Sequence, residues 1–482
     1  MVGRVQEAAL MRQLLDRPGA ELLAITGRRR VGKTYLVKQV FGSQIVFDFT
    51  GTQYAKRENQ LSKFSAKFSD YSKSTLPVQA PANWAEAFRL LKQYLISLPE
   101  SKEKKVVFFD ELPWIAGHKS GFLQEFGYWW NDWATQQQIV VVICGSAASW
   151  MIKKVLNNKG GLHNRVTRRI NLKPFTLGET ELFFRSKGIH LQQYEIMQLY
   201  MAMGGIPHYL NEIMPGESAI QNINRVYLDK NGPLRNEFGN LYAALFDHAD
   251  NHIAVIKTFG KHPYGMTRQQ IIEQTKFSDG GGLSKVLEEL EASDFITALF
   301  PFGKQKKDIV YRLTDAYSHF YLKFILGKKA GADTGIYTNL SSERYRIWRG
   351  YAFENVCIQH AGAIKSALGI SGIQTMMYSF IKKGNEIQEG FQIDLLIDRA
   401  DNCINLCEMK FANDSLRPNA EFAQVLRKRR ELFREATRTK KQLFNTLITT
   451  YGIEKNEYAL SQVDQSITMD ALFKPVTLTG IN

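Results

Sequence analysis

The chain has 482 residues, a formal net charge of +15, 44% hydrophobic and 23% charged residues. That length accommodates roughly three domains of about 150 residues, and the balanced composition excludes a disordered, fibrous or disulfide-stapled chain. The basic excess points to an acidic partner such as nucleic acid or nucleotide, with a solvated basic surface as the plain alternative.

The cysteines are Cys144, Cys357, Cys403 and Cys407. Only the last two are close, and their C-x3-C spacing has no second pair, so no zinc site is expected. Sparse cysteine fits a reducing cytosol. The first ten residues, MVGRVQEAAL, hold no apolar signal core, and no run of about 18 apolar residues is present. A cytoplasmic protein that does not enter a membrane is expected.

From the N-terminus, short apolar runs alternate with amphipathic stretches. ELLAITG (21–27), QIVFDF (44–49), KVVFFDE (105–111) and QIVVVICGS (138–146) read as buried strands. Near-continuous apolar runs are the mark of parallel strands covered by helices on both faces. Residues 1–235 are therefore expected to form a three-layer α/β domain with a parallel sheet.

Within it, Gly27-Arg-Arg-Arg-Val-Gly32-Lys33-Thr34 fits G-x-x-x-x-G-K-[ST] between a predicted strand and a predicted helix. The glycines let the backbone wrap phosphates, and the helix N-terminus favours the anion. Lys33 is expected to reach the β- and γ-phosphates of ATP, and the Thr34 hydroxyl to ligate Mg2+. Arg30, Val31 and Tyr35, in or directly after the loop, are counted with Gly27 and Gly32 as nucleotide-binding. KVVFFDE ends in Asp110, placed for Mg2+, and Glu111, placed to polarise the attacking water. The strand from Gln138 ends in Cys144-Gly145-Ser146, where Ser146 is the candidate γ-phosphate sensor or, more plainly, a turn residue. Phe122, Phe126, Trp129, Trp130 and Trp133 fall on one helix face and are expected to be core, with a partner surface as the alternative.

Taken together, VGR at 2–4, GRRRVGKT, FFDELPW, CGS and GGIPHYL at 204–210 resemble the prokaryotic AAA-type ATPases of the archaeal-ATPase group, within the STAND class of P-loop NTPases. The resemblance implies that Val2 to Arg4 packs by the base or ribose, and that residues 1–235 end in a helical lid which Gly204 to Pro207 closes over the nucleotide. It also implies an arginine finger. Arg165, Arg168 and Arg169 are on offer, and Arg165 stands where the family shows a Gly-Arg pair, although Asn164 replaces the glycine.

The next region, 244–330, reads as a winged helix. Thr267 and Gln270 form a capping-box pattern, and Leu283, Val286, Leu287 and Leu290 form one apolar helix face. FITALF and DIVYRLT then flank a Gly/Lys turn. The second helix carries Glu288, Glu289 and Glu291 against Lys285, a face that phosphates would repel. Lys304, Lys306 and Lys307 of the turn are the basic exception.

In the last region, 340–482, a helix over 345–368 precedes strand-like segments and a long basic helix. Asp394 is followed fourteen positions later by Glu408, with Lys410 two further on. Period-two spacing puts Glu408 and Lys410 on one strand face. Two carboxylates and a lysine suit Mg2+-dependent phosphodiester cleavage. This resembles the D-x(n)-E-x-K signature of the α/β restriction-endonuclease-like fold, which implies Glu354 as a further metal ligand and Gln424 as an accessory polar residue. The basic run from Arg427 to Lys441 is the candidate nucleic-acid face. Three outcomes stay open at this point: an ATP-driven metal nuclease, a nucleotide switch with a catalytically inactive C-terminal module, or an assembly factor with a protein client. The sequence also leaves open a homo-oligomer and the choice of DNA or RNA.

Overall fold

The structure is a computed structural model that describes residues 1–73, 78–117, 119–157, 162, 164–246, 248–303, 308–327, 343–382 and 390–476. Lys304, Lys306 and Lys307 lie outside the described residues. The chain divides into two compact units, Met1–Lys173 and Pro174–Asn482.

The first unit is built on five strands: β1 (Glu21–Thr26), β2 (Ile45–Thr50), β3 (Lys105–Asp110), β4 (Ile139–Gly145) and β5 (Arg168–Asn171). Their order is β2-β3-β4-β1-β5, and every neighbouring pair is parallel. β1 and β4 are buried along their whole length, as the unbroken apolar runs imply for strands covered on both faces. Because β4 lies between β1 and β3, the loops leaving the carboxyl ends of these three strands emerge side by side. Ligands of open α/β sheets bind at that edge.

The aromatic helix Phe122–Asp132 is core, as expected. Phe122, Phe126, Trp129 and Trp130 are buried, whereas Trp133, just past the helix, is half-buried; Phe122, Phe126 and Trp129 pack on Phe88, and Trp84 meets Phe122 edge-to-face at 4.8 Å. Tyr128 points outward and is exposed.

The second unit holds the lid, middle and C-terminal segments of the sequence reading. Among its described residues the strands are β6 (Met266–Thr267), β7 (Ile296–Pro301), β8 (Val310–Leu313), β9 (Thr375–Lys382), β10 (Phe391–Arg399), β11 (Cys403–Lys410), β12 (Gln442–Thr449) and β13 (Gln465–Thr468). They form one sheet in the order β13-β12-β11-β10-β9-β7-β8-β6. The hairpin β7–β8 is antiparallel, and β7 continues into the C-terminal strands by pairing Phe300 with Tyr378 and Pro301 with Ser379, in parallel to β9. Nothing in the sequence pattern announces that junction.

Local signals hold where they are strong. Thr267 and Gln270 close the expected capping box, and Leu283, Val286, Leu287 and Leu290 are all buried. The basic helix runs Ala420–Thr437, capped by Asn419. The helix expected over 345–368 is instead two, Glu343–Gln359 and Ala361–Ala367, broken at His360, whose imidazole is within 2.8 Å of the Val356 carbonyl. No helix among the described residues is long and apolar enough to cross a membrane.

Candidate functional site

The loop between β1 and the helix Lys33–Phe41 has the backbone its sequence requires. Gly27 (φ 144°) presses against the Leu172 carbonyl so closely that a Cβ would fall 2.3 Å from its oxygen. Gly32 (φ 93°) is the N-cap of the helix, and Arg30 (φ 72°) takes a left-handed conformation unusual for a residue with a side chain. Lys33 is buried, and its ammonium donates to the Gly27 and Arg28 carbonyls at 2.8 and 3.0 Å. The ammonium therefore sits at the mouth of the loop. The Arg4 guanidinium donates to the Val31 carbonyl at 3.4 Å, which brings the N-terminal segment against the loop. Tyr35 is exposed on the first turn of the helix.

The neighbouring strand ends supply the acids. The Thr34 hydroxyl donates to Asp110 Oδ2 at 2.6 Å, joining the loop to β3. Glu111 follows in a left-handed conformation (φ 49°), and its carboxylate accepts from both the backbone N–H and the hydroxyl of Ser146, at 3.1 and 2.8 Å. Ser146 thus grips Glu111 from the end of β4. The Cys144 thiol, also on β4, donates to Asp110 Oδ1 at 2.6 Å. Burial, then the Asp110 carboxylate, push this thiol's pKa well up, so it stays a protonated donor. Nothing in the spacing of the CGS strand end announces the Cys144 contact, because it depends on β4 lying beside β3.

The remaining candidates of this site are placed less informatively. Arg165, Arg168 and Arg169 are exposed, and Arg168 and Arg169 donate to the Thr167 and Leu156 carbonyls. Pro207 lies in the second unit as the first residue of the helix Pro207–Leu210. There the Gly-Gly pair has a packing role: a Cβ on Gly205 would fall 1.9 Å from the Phe175 carbonyl oxygen.

In the C-terminal segment, β10 and β11 run antiparallel with Leu395 opposite Cys407. This brings Asp394 beside Glu408, and Asp394 Oδ2 accepts from the Met409 N–H at 2.9 Å. Burial, then the charges of Glu408 and Glu354, push the Asp394 pKa well above the ordinary carboxylate range. The other carboxylates are held by cations of the protein. Lys410 pairs with Glu408 at 2.7 Å, Arg429 also donates to Glu408, and Arg312 of β8 pairs with Glu354 at 2.8 Å. No group of three or more His, Cys, Asp and Glu among the described residues is arranged to hold a metal ion. Of the expected ligand set, Glu354 is thus ion-paired with Arg312 and Glu408 with Lys410 and Arg429, while Asp394 lies beside them holding the Met409 N–H.

Arg312 and Arg429 were not legible as site residues. The first lies on a strand assigned to another segment, and the second was counted with the nucleic-acid face. Of that run, Arg429, Arg430 and Lys441 are drawn into ion pairs with Glu408, Asp464 and Asp398. Arg427, Lys428, Arg434, Arg438 and Lys440 are exposed.

The sheet order, the glycine loop and the Thr34–Asp110 pair make the N-terminal part a P-loop ATPase domain. In agreement, residues 1–213 match the model of a family described as an ATPase domain predominantly from Archaea. An uncharacterized protein of Methanocaldococcus jannaschii is 25% identical over 402 residues, covering 82% of this chain and 83% of its own. Among solved structures, the Walker-type ATPase PABY2304 of Pyrococcus abyssi is similar in fold, with a TM-score of 0.50, 18% identity, and coverage of 67% of this chain and 96% of that one. The ORC2 protein of Aeropyrum pernix is more distant, with a TM-score of 0.42, 11% identity, and coverage of 67% and 93%.

Proposed function

We propose that this chain is a Mg2+-dependent ATPase whose nucleotide state governs a nuclease-like C-terminal module that binds nucleic acid. The observation that carries the ATPase reading is the Thr34 hydroxyl 2.6 Å from the Asp110 carboxylate, with Glu111 next in the chain and held by Ser146. A hydroxyl and a carboxylate on adjoining elements are hard oxygen donors of the kind Mg2+ prefers, so these residues fit that ion. Mg2+ would neutralise charge on the β- and γ-phosphate oxygens. The loop N–H groups and Lys33 bind those phosphates, and Arg4, Arg30, Val31 and Tyr35 flank them. Glu111 orients a water for attack on the γ-phosphorus and takes its proton as the bond to the bridging oxygen breaks. Arg165 is the proposed arginine finger.

The test is steady-state ATP turnover by the full chain with Mg2+ and with EDTA. Turnover should fall to background in EDTA and return on adding Mg2+. Equal turnover in both would refute the assignment.

For residues 244–330 we read a winged helix: the helices Arg268–Gln274 and Gly281–Ala292 precede the hairpin in that order. Its second helix carries Glu288, Glu289 and Glu291, with Glu289 within 2.9 Å of His252, so a role in relaying motion suits it better than reading bases.

A second reading, a STAND-type switch with a catalytically inactive C-terminal binding module and a protein client, is favoured by the charges around the cluster. Glu354 and Glu408 are neutralised by Arg312, Lys410 and Arg429, and Asp394 is pushed toward its neutral form. A site whose negative charge is already compensated has weak pull on a divalent cation. Full-length protein incubated with plasmid, single-stranded DNA and RNA should bind without cutting in Mg2+ or Mn2+. With five exposed cations on the helix Ala420–Thr437 and its end, the log–log slope of affinity against salt should be about −3.5 to −4.5. Cleavage that disappears in Lys410→Ala would overturn the silent reading and restore the nuclease.

A further inference from the structure

A cleft of about 750 Å3 opens in the second unit, far along the chain from the P-loop. The helix Gln193–Met203 and the segment before it form one wall, and the chain after β12 and β13 forms the other. Its volume suits a nucleotide-sized group. Its charges largely cancel: Glu181 pairs with Arg185 at 2.6 Å, and Asp470 with Lys474 at 3.7 Å. The rest of the lining combines uncharged hydrogen-bonding side chains such as Gln192 and Gln193, the rings of Tyr194 and Tyr451, and apolar side chains such as Ile189 and Met469. Such walls favour a neutral, planar, polar group over a phosphate.

One side of the cleft is the end of an aromatic row. Tyr194 stacks on Phe411 with ring centroids 5.2 Å apart and planes 8° from parallel, and on Tyr451 at 5.7 Å and 22°. The Arg349 guanidinium lies over Phe411 at 5.6 Å. Arg349 and the Tyr194 hydroxyl both donate to Asn413, at 2.8 and 2.9 Å, which fixes the row in place. Tyr451, by contrast, is 46% exposed. A large aromatic ring held in a stack and left open to water is a platform on which another flat ring gains attraction.

The row also begins at the C-terminal cluster. Phe411 directly follows Lys410, and Lys410 is in register with Thr449, two residues before Tyr451. Phe411 and Tyr451 thus leave the carboxyl ends of adjacent parallel strands. A chain of nucleotides lying on Lys410 and Arg429 would meet these rings next.

We propose that the cleft takes an unpaired base of a single-stranded nucleic acid, stacked on Tyr451, as a subsite beside the Asp394, Glu408 and Lys410 cluster. This inference rests on the nucleic-acid reading of the C-terminal module and makes it more specific: the strand bound there is single, because a paired base cannot present its face to a protein ring. Gln192 and Gln193 face the base edges and the phosphates stay outside.

The experiment is fluorescence anisotropy of the full chain at low salt with fluorescein-labelled single-stranded oligodeoxynucleotide, the matching oligoribonucleotide, and a blunt DNA duplex. Tyr451→Ala should weaken binding of at least one single strand by about 5- to 150-fold. Tyr451→Phe should bind as the natural chain does, and duplex binding should be the same in all three proteins. ATP affinity, measured alongside, reports that the variants are folded. If the natural chain binds the single strands and Tyr451→Ala binds them as tightly, the subsite is refuted and the nucleic-acid reading survives. Equal weakening for duplex, or loss in Tyr451→Phe as deep as in Tyr451→Ala, also refutes stacking. No binding of any nucleic acid by the natural chain removes both.

Discussion

Glu111→Gln is expected to keep ATP and lose its turnover, with kcat falling by about 10²- to 10⁴-fold. The reasoning starts from the backbone. Glu111 leaves β3 in a left-handed conformation, which turns its side chain out of the strand direction and toward the end of β4. There its carboxylate accepts two hydrogen bonds from Ser146. A glutamine retains an oxygen for both bonds, so the shape of the site is preserved and ATP affinity should change little. An amide cannot take a proton from water, so the chemical step should fail. Single-turnover hydrolysis beside equilibrium binding of a fluorescent ATP analogue separates the two. A variant that hydrolyses ATP at the natural rate would remove Glu111 from the mechanism.

Lys33→Ala is expected to act on the other parameter. The natural ammonium is buried at the loop and held by two carbonyls, a position that needs little rearrangement to meet a phosphate. Charge-assisted hydrogen bonds contribute about 1.5–3 kcal/mol each, and two of them correspond to at least about 10²-fold in affinity. ATP binding should weaken by that factor or more, and turnover should fall with it. Removing Lys33 also takes a donor from the Gly27 and Arg28 carbonyls, so a thermal melt must accompany the titration. A folded variant with natural affinity would contradict the role assigned to Lys33.

The contrast between the two halves of the molecule explains what could be read from the chain alone. Gly27 to Thr34 was legible because its function lies in consecutive backbone groups. Asp110 and Glu111 were legible because an apolar strand points at them. The capping box at Thr267 and Gln270 spans four residues, and the Phe122–Asp132 aromatics repeat at helical spacing. Each of these is a local property. Arg312 meets Glu354 across 42 positions, Arg429 meets Glu408 across 21, and Cys144 meets Asp110 across 34. Such contacts depend on strand order and register, which spacing does not encode. The consequence was largest at Glu354 and Glu408, where the motif named the carboxylates but not the cations that pair with them.

The pairing of β7 with β9 bears on how the C-terminal module can be handled. In the whole chain Ser379 gives its carbonyl to the Phe302 N–H, and Tyr378 lies in register with Phe300. A cut placed between the hairpin and residue 343 strips that cover. The freed piece carries a raw strand margin, bare to solvent and able to accept a strand from any neighbouring copy. What looks in the sequence like a convenient seam is, in the folded protein, the inside of a single woven surface.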